Sequence, residues 1–366
     1  MNFSVVFYIF VAFTTIQIIY YLIFTSVFFL KKRTKKQTAF PVSVIIFAKN
    51  NAENLSNFLP SILSQNHPTF EVVLIDNNSS DNTEEIVNLF ALTNSNIKLV
   101  SVENNEAFWG SKKYALTLGI KAAKYEHLVF IEPNCKPISE NWLSKMSQEF
   151  SEEKSIVLGY STIINEKNTS NFLIRFYHFI AALQYLNFAN LGIPFMADGK
   201  NLAYTKSEFY RAKGFINHMK QELGEDNLFI QDAANKTNTA FCIQKNSFTK
   251  SVISQTFFHW FLNQREKVFL EKRYQPKHRF LIGLFSISKF FFYNLGILLL
   301  FFYPTLTIVI FFGIYFLVQY IVIGIASKRM EEKNLIFFLP LLDISFLLIQ
   351  ISIFIANLKS KPTHWK

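Results

Sequence analysis

Val42-Ser43-Val44-Ile45-Ile46-Phe47 is a near-continuous apolar run. A strand wetted on one face alternates polar with apolar residues, whereas a parallel strand covered on both faces does not, and this run predicts the second kind. Glu71-Val72-Val73-Leu74-Ile75-Asp76, residues 97–102 and His127-Leu128-Val129-Phe130-Ile131 share its character. Helix-like segments at residues 54–64, 82–92 and 112–124 separate these runs, giving the order β-α-β-α-β-α-β. Right-handed crossovers turn that order into an α/β fold, an open and doubly wound sheet that binds ligands beyond the carboxyl ends of its strands. Candidate site residues are therefore sought where each run stops.

Outward from this core the chain turns apolar. Residues 3–30 carry no charged side chain and are long enough for a hydrocarbon core of about 30 Å. A cleaved signal would need a basic start, a shorter apolar centre and a small-residue cleavage site, none of which is present, so residues 1–30 predict a retained transmembrane helix with its N-terminus outside. Lys31, Lys32, Arg33, Lys35 and Lys36 follow directly. Residues 31–40 thus read as a basic cytosolic flank and residues 41–278 as a cytosolic domain. Residues 279–366 form a C-terminal membrane region of two to three crossings, broken near Pro304 and at Lys328-Arg329-Met330-Glu331-Glu332-Lys333, and closed by a basic tail. Three crossings would carry that tail outside, against the positive-inside bias. Residues 171–193 are also apolar, but Arg175, His178 and Gln184 interrupt them, which fits a buried or membrane-skimming helix better than a crossing.

Composition agrees with a membrane protein: half of the 366 residues are hydrophobic and 43 are Phe. The formal charge of +11 gathers beside the apolar spans and not in a basic domain with a recognition motif, so membrane lipids are the expected partner and nucleic acid is not. Two distant cysteines, Cys135 and Cys242, exclude a disulfide framework and a Cys-rich zinc site. The seven His residues lack paired ligand spacing and receive no metal role.

Five stretches carry chemistry. Asp76 ends the second run and can accept hydrogen bonds from a base or ribose, with Asp81 or Asn82 capping the next helix; a polar loop with a cap is the bland alternative. Phe108-Trp109-Gly110-Ser111-Lys112-Lys113 opens a helix, and free backbone N–H groups beside an ammonium suit a diphosphate, although a solvated helix start reads the same way. Glu132-Pro133-Asn134-Cys135 follows the fourth run, where oxygens can hold a hard cation, if weakly with one carboxylate and one amide. Gly224-Glu225-Asp226-Asn227 sets two carboxylates before a helical run, fit for a general base or for an ordinary first turn. Farther on, Trp260, Gln264, Arg265 and Lys267 can grip a pyrophosphate or anchor at an interface.

Taken in order, these segments resemble a family 2 glycosyltransferase of the membrane-bound bacterial kind, with the GT-A fold. The likeness runs from Pro41 to Lys277 and extends to the ending Lys361-Pro362-Thr363-His364-Trp365-Lys366; Gly199-Lys200-Asn201-Leu202-Ala203-Tyr204 is similar to the family's acceptor-side segment. The resemblance implies an inner-membrane enzyme of cell-envelope or polysaccharide synthesis, moving a sugar with inversion from a UDP- or GDP-sugar to a hydroxyl on a lipid or glycan acceptor. It implies Glu225 and Asp226 as catalytic residues, Asp76, Asn50, Lys113, Gln264 and Arg265 as nucleotide-sugar ligands, and Gly199 and Asn201 on the acceptor side. It also implies a divalent cation, Mg2+ or Mn2+, at Glu132 and Asn134.

Two departures matter. The family's metal motif is Asp-x-Asp, so Glu132-Pro133-Asn134 loses one negative charge and Pro133 stiffens the turn. The base motif leaves the choice between Glu225 and Asp226 open. A second reading is therefore a GT-A-like domain of weakened catalysis that serves as a binding or assembly subunit of a glycan synthase. A transporter with a soluble insert is a third, with Lys289 and Asp343 as its intramembrane charges.

Overall fold

The structure is a computed structural model that describes residues 3–29, 40–103, 112–253 and 256–362. The chain begins with α1 (Phe3–Ile23), then β1 (Val42–Ala48), α2 (Ala52–Leu63), β2 (Phe70–Asp76), α3 (Thr83–Thr93), β3 (Ile97–Ser101), α4 (Lys112–Ala122) and β4 (His127–Phe130). It continues through β5 (Cys135–Pro137), α5 (Trp142–Ser147), β6 (Ile156–Leu158), β7 (Ser161–Ile163), α6 (Thr169–Asn190), β8 (Leu202–Thr205), α7 (Lys206–Arg211), α8 (Asn227–Ala233), β9 (Thr239–Phe241) and β10 (Thr249–Ser251). Four helices close it: α9 (Phe257–Leu270), α10 (Pro276–Phe302), α11 (Leu306–Arg329) and α12 (Leu339–Lys359). Two compact units result, one of residues 32–164 and 188–254, the other of residues 1–31, 165–187 and 255–366.

The first unit is built on a seven-stranded sheet in the order β3-β2-β1-β4-β8-β6-β9, with a small second sheet β5-β10-β7. The four apolar runs read from the sequence are its parallel half: β1 pairs in parallel with β2 and β4, and β2 with β3. Every residue of β1 except Phe47 is buried, as helix layers on both faces demand. The buried Ser43 hydroxyl donates to Glu71 Oε1 at 2.5 Å and accepts from the Tyr125 amide at 3.1 Å, so this polar side chain inside the strand is satisfied. Val42, Val44, Ile46, Leu55, Leu59, Val72, Leu74, Val129 and Trp142 form the core on one face.

The turn of the chain that matters for the site is β8. It runs antiparallel to β4, with Leu202 opposite Phe130. The residues just before β8 therefore meet the residues just after β4, and residues 198–201 arrive beside Glu132.

The second unit gathers the apolar helices. Four segments are long and apolar enough to cross a membrane: Phe3–Phe29, Pro276–Phe302, Leu306–Arg329 and Lys333–Lys359. Without water, polar groups inside such helices must find one another. Gln17 of α1 donates to Phe285 O and Ser288 Oγ of α10, both at 2.8 Å. Lys289 and Asp343, fully buried, form an ion pair; Asp343 also accepts from Tyr293 and Tyr315 at 2.7 Å and from Tyr21 at 3.1 Å. One network thus ties α1, α10, α11 and α12 together. The interrupted segment forms α6, where the buried Arg175 guanidinium pairs with the buried Glu332 carboxylate.

Candidate active site

The carboxyl ends of β1 and β2 lie side by side, Ala48 opposite Asp76. Asp76 is buried, and its carboxylate accepts from the Ser79 hydroxyl and, at 3.4 Å, from the Ser79 amide. Ser79 Oγ in turn accepts from the Asn50 amide at 2.9 Å, while Asn50 Oδ1 accepts from the Ser80 amide at 2.8 Å. Two of the expected nucleotide ligands, Asn50 and Asp76, are thus cross-braced through one loop. Asp81 rather than Asn82 supplies the capping oxygens, taking the Thr83 amide at 3.0 Å and the Ala52 amide at 3.1 Å.

At the start of α4 the two adjacent lysines part. Lys113 is buried, and its ammonium donates to three backbone carbonyls, His218 at 2.8 Å, Gln221 at 2.9 Å and Leu223 at 2.8 Å. Those carbonyls belong to the loop that leads into Gly224, whose φ of +91° suits a residue without a Cβ. Lys112 turns the other way. Its Nζ lies 2.5 Å from Glu225 Oε1 and 3.9 Å from Glu132 Oε1, with 29%, 16% and 34% of the respective side chains exposed. Burial works against the Lys112 charge, but Glu225 and Glu132 hold its pKa above the ordinary lysine range. Burial pushes Glu225 up, yet Lys112 and then Lys113 bring it below the usual carboxylate range. Residues 108–111 of the same motif lie outside the described residues.

Asp226 is held differently. Its Oδ2 accepts from the Gly199 amide at 3.3 Å and its Oδ1 from the Asn227 amide at 2.6 Å, at the start of α8. Beside Gly199, Asn201 is fully buried: its amide donates to Tyr160 O and Ser247 O at 2.8 Å, and its Oδ1 accepts from Trp142 Nε1 at 3.0 Å. Asn201 therefore frames the segment, and Gly199 faces the Asp226 carboxylate. Two residues within the same segment carry charge that sequence reading did not single out, Asp198 and Lys200. Lys200 Nζ donates to Ser251 Oγ at 3.2 Å. Burial opposes its charge, and Asp198 and Glu132 hold it above the ordinary lysine range. The carboxyl edge thus brings together Glu132, Asp198, Gly199, Lys200, Glu225 and Asp226 around Lys112.

Gln264 and Arg265 lie on α9, in the unit of apolar helices. The Arg265 guanidinium closes the end of α12, donating to Ala356 O at 3.0 Å, Ser360 O at 3.1 Å and Asn357 Oδ1 at 3.2 Å.

The residues at the turn after β4 do not fit a divalent cation. Glu132 supplies one carboxylate, and it already faces the Lys112 ammonium and contributes to the field on Lys200. Asn134 Nδ2 donates to Val252 O at 3.1 Å, and its oxygen accepts from Cys135 Sγ at 3.4 Å. Burial pushes the Cys135 thiol well above its usual range, and a hard cation takes oxygen ligands and not sulfur. Among the described residues no three His, Cys, Asp or Glu side chains converge as a metal cage. The turn itself offers a hard cation one carboxylate, already facing an ammonium, and an amide oxygen already engaged, short of the oxygen shell such an ion takes.

An open, mostly parallel sheet with its acidic and basic residues on the carboxyl edge, carried on a chain with apolar helices at both ends, is a GT-A fold. The profile of Glycosyl transferase family 2 matches residues 43–257, more than half of the chain, and the protein belongs to that family. Among its relatives, glycosyltransferase AglE of Haloferax volcanii is 26% identical over 172 residues, 46% of this chain and 52% of that protein. Poly-beta-1,6-N-acetyl-D-glucosamine synthase of Staphylococcus epidermidis is 33% identical over 100 residues, 27% of this chain and 23% of the relative. The chain thus spans about half the length of the first and a quarter of the second. In fold it is similar to the mannosyltransferase PcManGT of Pyrobaculum calidifontis, solved with GDP-Man and Mn2+, with a TM-score of 0.62 at 14% identity over 99% of this chain and 100% of that one.

Proposed function

We propose that the protein is a membrane-anchored, inverting glycosyltransferase of the bacterial inner membrane, with its GT-A unit in the cytosol, that moves a sugar from a UDP- or GDP-sugar to a hydroxyl on a lipid-linked or polysaccharide acceptor. Family membership supports the reaction type, and the four apolar segments support the anchoring. The observation that carries the reading is the pair Glu225 and Asp226, whose carboxylates have different partners within one turn of chain. Glu225 is neutralised by an ammonium, which suits an anchor and not a proton acceptor. Asp226 accepts the backbone amides of Gly199, on the acceptor side, and of Asn227, with no ammonium contact like that of Glu225, and we assign it the part of general base.

In this reading Asn50 and Asp76 hold the nucleoside, and Asp226 takes the proton of the acceptor hydroxyl as its oxygen attacks the anomeric carbon. The bond from that carbon to the diphosphate oxygen breaks on the opposite face, and its electron pair leaves with the nucleoside diphosphate. Lys113 acts as a positioning residue, fixing the loop before Glu225. Gln264 and Arg265 belong to the donor's surroundings only through the resemblance. The Mg2+ or Mn2+ that the resemblance implies at Glu132 and Asn134 has no step in this account.

A nucleotide-sugar screen tests the proposal on the full chain in detergent. One UDP- or GDP-sugar is expected to raise the midpoint of thermal unfolding and to release its diphosphate when membrane glycolipid is added. Stabilisation without turnover for every acceptor preparation would instead favour the assembly-subunit reading, which the altered Glu132-Pro133-Asn134 turn supports.

A further inference from the structure

Glu132 faces one cation, and a second lies near the same turn. Lys112 Nζ is 3.9 Å from its Oε1, and Lys200 Nζ is 3.2 Å from Ser251 Oγ, whose residue pairs across the small sheet with Cys135 of the same turn. Where Asp-x-Asp would offer two carboxylates, this turn offers one, and the amide that replaces the second is engaged by Val252 and Cys135. Two ammonium groups carry the same formal charge as one divalent ion, and they stand at the edge of the sheet where that ion's work would be done. An ammonium is a compact point charge and a common partner of phosphate oxygens.

We propose that Lys112 and Lys200 together replace a divalent cation, binding the diphosphate of the donor and then the nucleoside diphosphate that departs. The proposal rests on the transferase reading above and supplies the countercharge for its leaving group. As the acceptor oxygen bonds to the anomeric carbon and the acceptor proton moves to Asp226, negative charge grows on the departing diphosphate oxygen, and the two ammonium groups offset it. Before the donor arrives, Glu225 keeps Lys112 aimed at this spot. Lys113 has no share in this charge, since its ammonium is committed to three carbonyls. The Ser251 hydroxyl that Lys200 holds is a weaker partner than a diphosphate oxygen, which would join Asp198 and Glu132 around the same ammonium.

Titration calorimetry on the full chain in detergent, with UDP and with GDP, first in EDTA and then in excess Mn2+, tests this. One of the two diphosphates is expected to bind in EDTA, with a change of less than about tenfold on adding Mn2+. Lys112→Met and Lys200→Met are each expected to weaken binding by about tenfold or more, while Lys112→Arg and Lys200→Arg keep most of it. A gain of tenfold or more from Mn2+ in the unaltered protein overturns the lysine proposal and leaves the transferase reading standing; this arm needs no variant to fold. Unchanged affinity in both folded Met variants overturns it as well. Failure of both diphosphates to bind under either condition ends the transferase reading itself.

Discussion

The ammonium of Lys112, at the start of α4, stands 2.5 Å from a carboxylate oxygen of Glu225, two residues before α8. This contact divides the work of two adjacent acids. Asp226→Asn is expected to lower kcat by a factor of about 10²–10⁴ with little change in KM, as loss of a general base does. Glu225→Gln frees Lys112 from its partner and is expected to raise the donor KM by about tenfold, with a smaller loss in kcat. Steady-state release of nucleoside diphosphate measures both; the opposite split would move the proton acceptor to Glu225.

Lys113 holds the loop before the acidic pair. Lys113→Met leaves three carbonyls without their cation and is expected to cost about 3 kcal/mol of stability, with Lys113→Arg recovering little because the fork of a guanidinium cannot reach the same three oxygens. Thermal unfolding in detergent reads this directly. Stability equal to the parent in Lys113→Met would remove the clamp from the account.

The ion pair inside the apolar unit predicts a non-additive result. Lys289→Met or Asp343→Leu alone leaves a buried charge unpaired and is expected to destabilise by about 3–5 kcal/mol. The double variant is expected to recover most of that loss, though not all, because Tyr293 and Tyr315 lose their acceptor. A double-mutant cycle on unfolding midpoints tests it, and additive losses would show that the two charges are independent.

Acid should weaken the first unit. Burial, aided by the Lys113 ammonium and opposed by Asp232 and Glu225, lowers the His218 pKa to about 4. His67 and His127 are also lowered, chiefly by burial. The unfolded chain therefore takes up protons before the folded one does, so stability present above pH about 6.5 is lost on descending toward about 4. For His218 the full loss is about 3 kcal/mol. Unfolding midpoints between these limits should fall with pH in the parent and less steeply in His218→Gln; parallel curves would contradict the assignment.

Much of this was legible in the sequence, and for a physical reason. Strands buried on both faces leave uninterrupted apolar runs, so β1, β2 and β4 were readable in this way, whereas the edge strand β3 has no buried residue and its run is broken by the exposed Lys98. The antiparallel β8 left no such mark: Leu202-Ala203-Tyr204-Thr205 is short, and its partner is set by the whole sheet. Nothing in the local pattern around Lys200 marks it as a charge of the site, because its place depends on how β8 pairs with β4. The choice between Lys112 and Lys113 depends on the phase of α4, because neighbours on a helix point about 100° apart. Two adjacent lysines read alike until the first helical residue is known. The partners of Arg265 depend on which end of α12 reaches it, which no local pattern records.

The unit that carries the acidic pair is assembled from two stretches of chain, and residues 165–187 between them belong to the other unit. Cutting at residues 32 and 254 would thus not yield a clean soluble enzyme. The fragment would keep all of α6 while discarding residues that pack on it: Phe346 against Phe176 and Tyr177, Trp260 against Tyr177, and Glu332 against Arg175. A buried guanidinium stripped of its carboxylate, among bare aromatic rings, invites aggregation, so expression work should retain the helices or replace residues 165–187 by a short polar bridge.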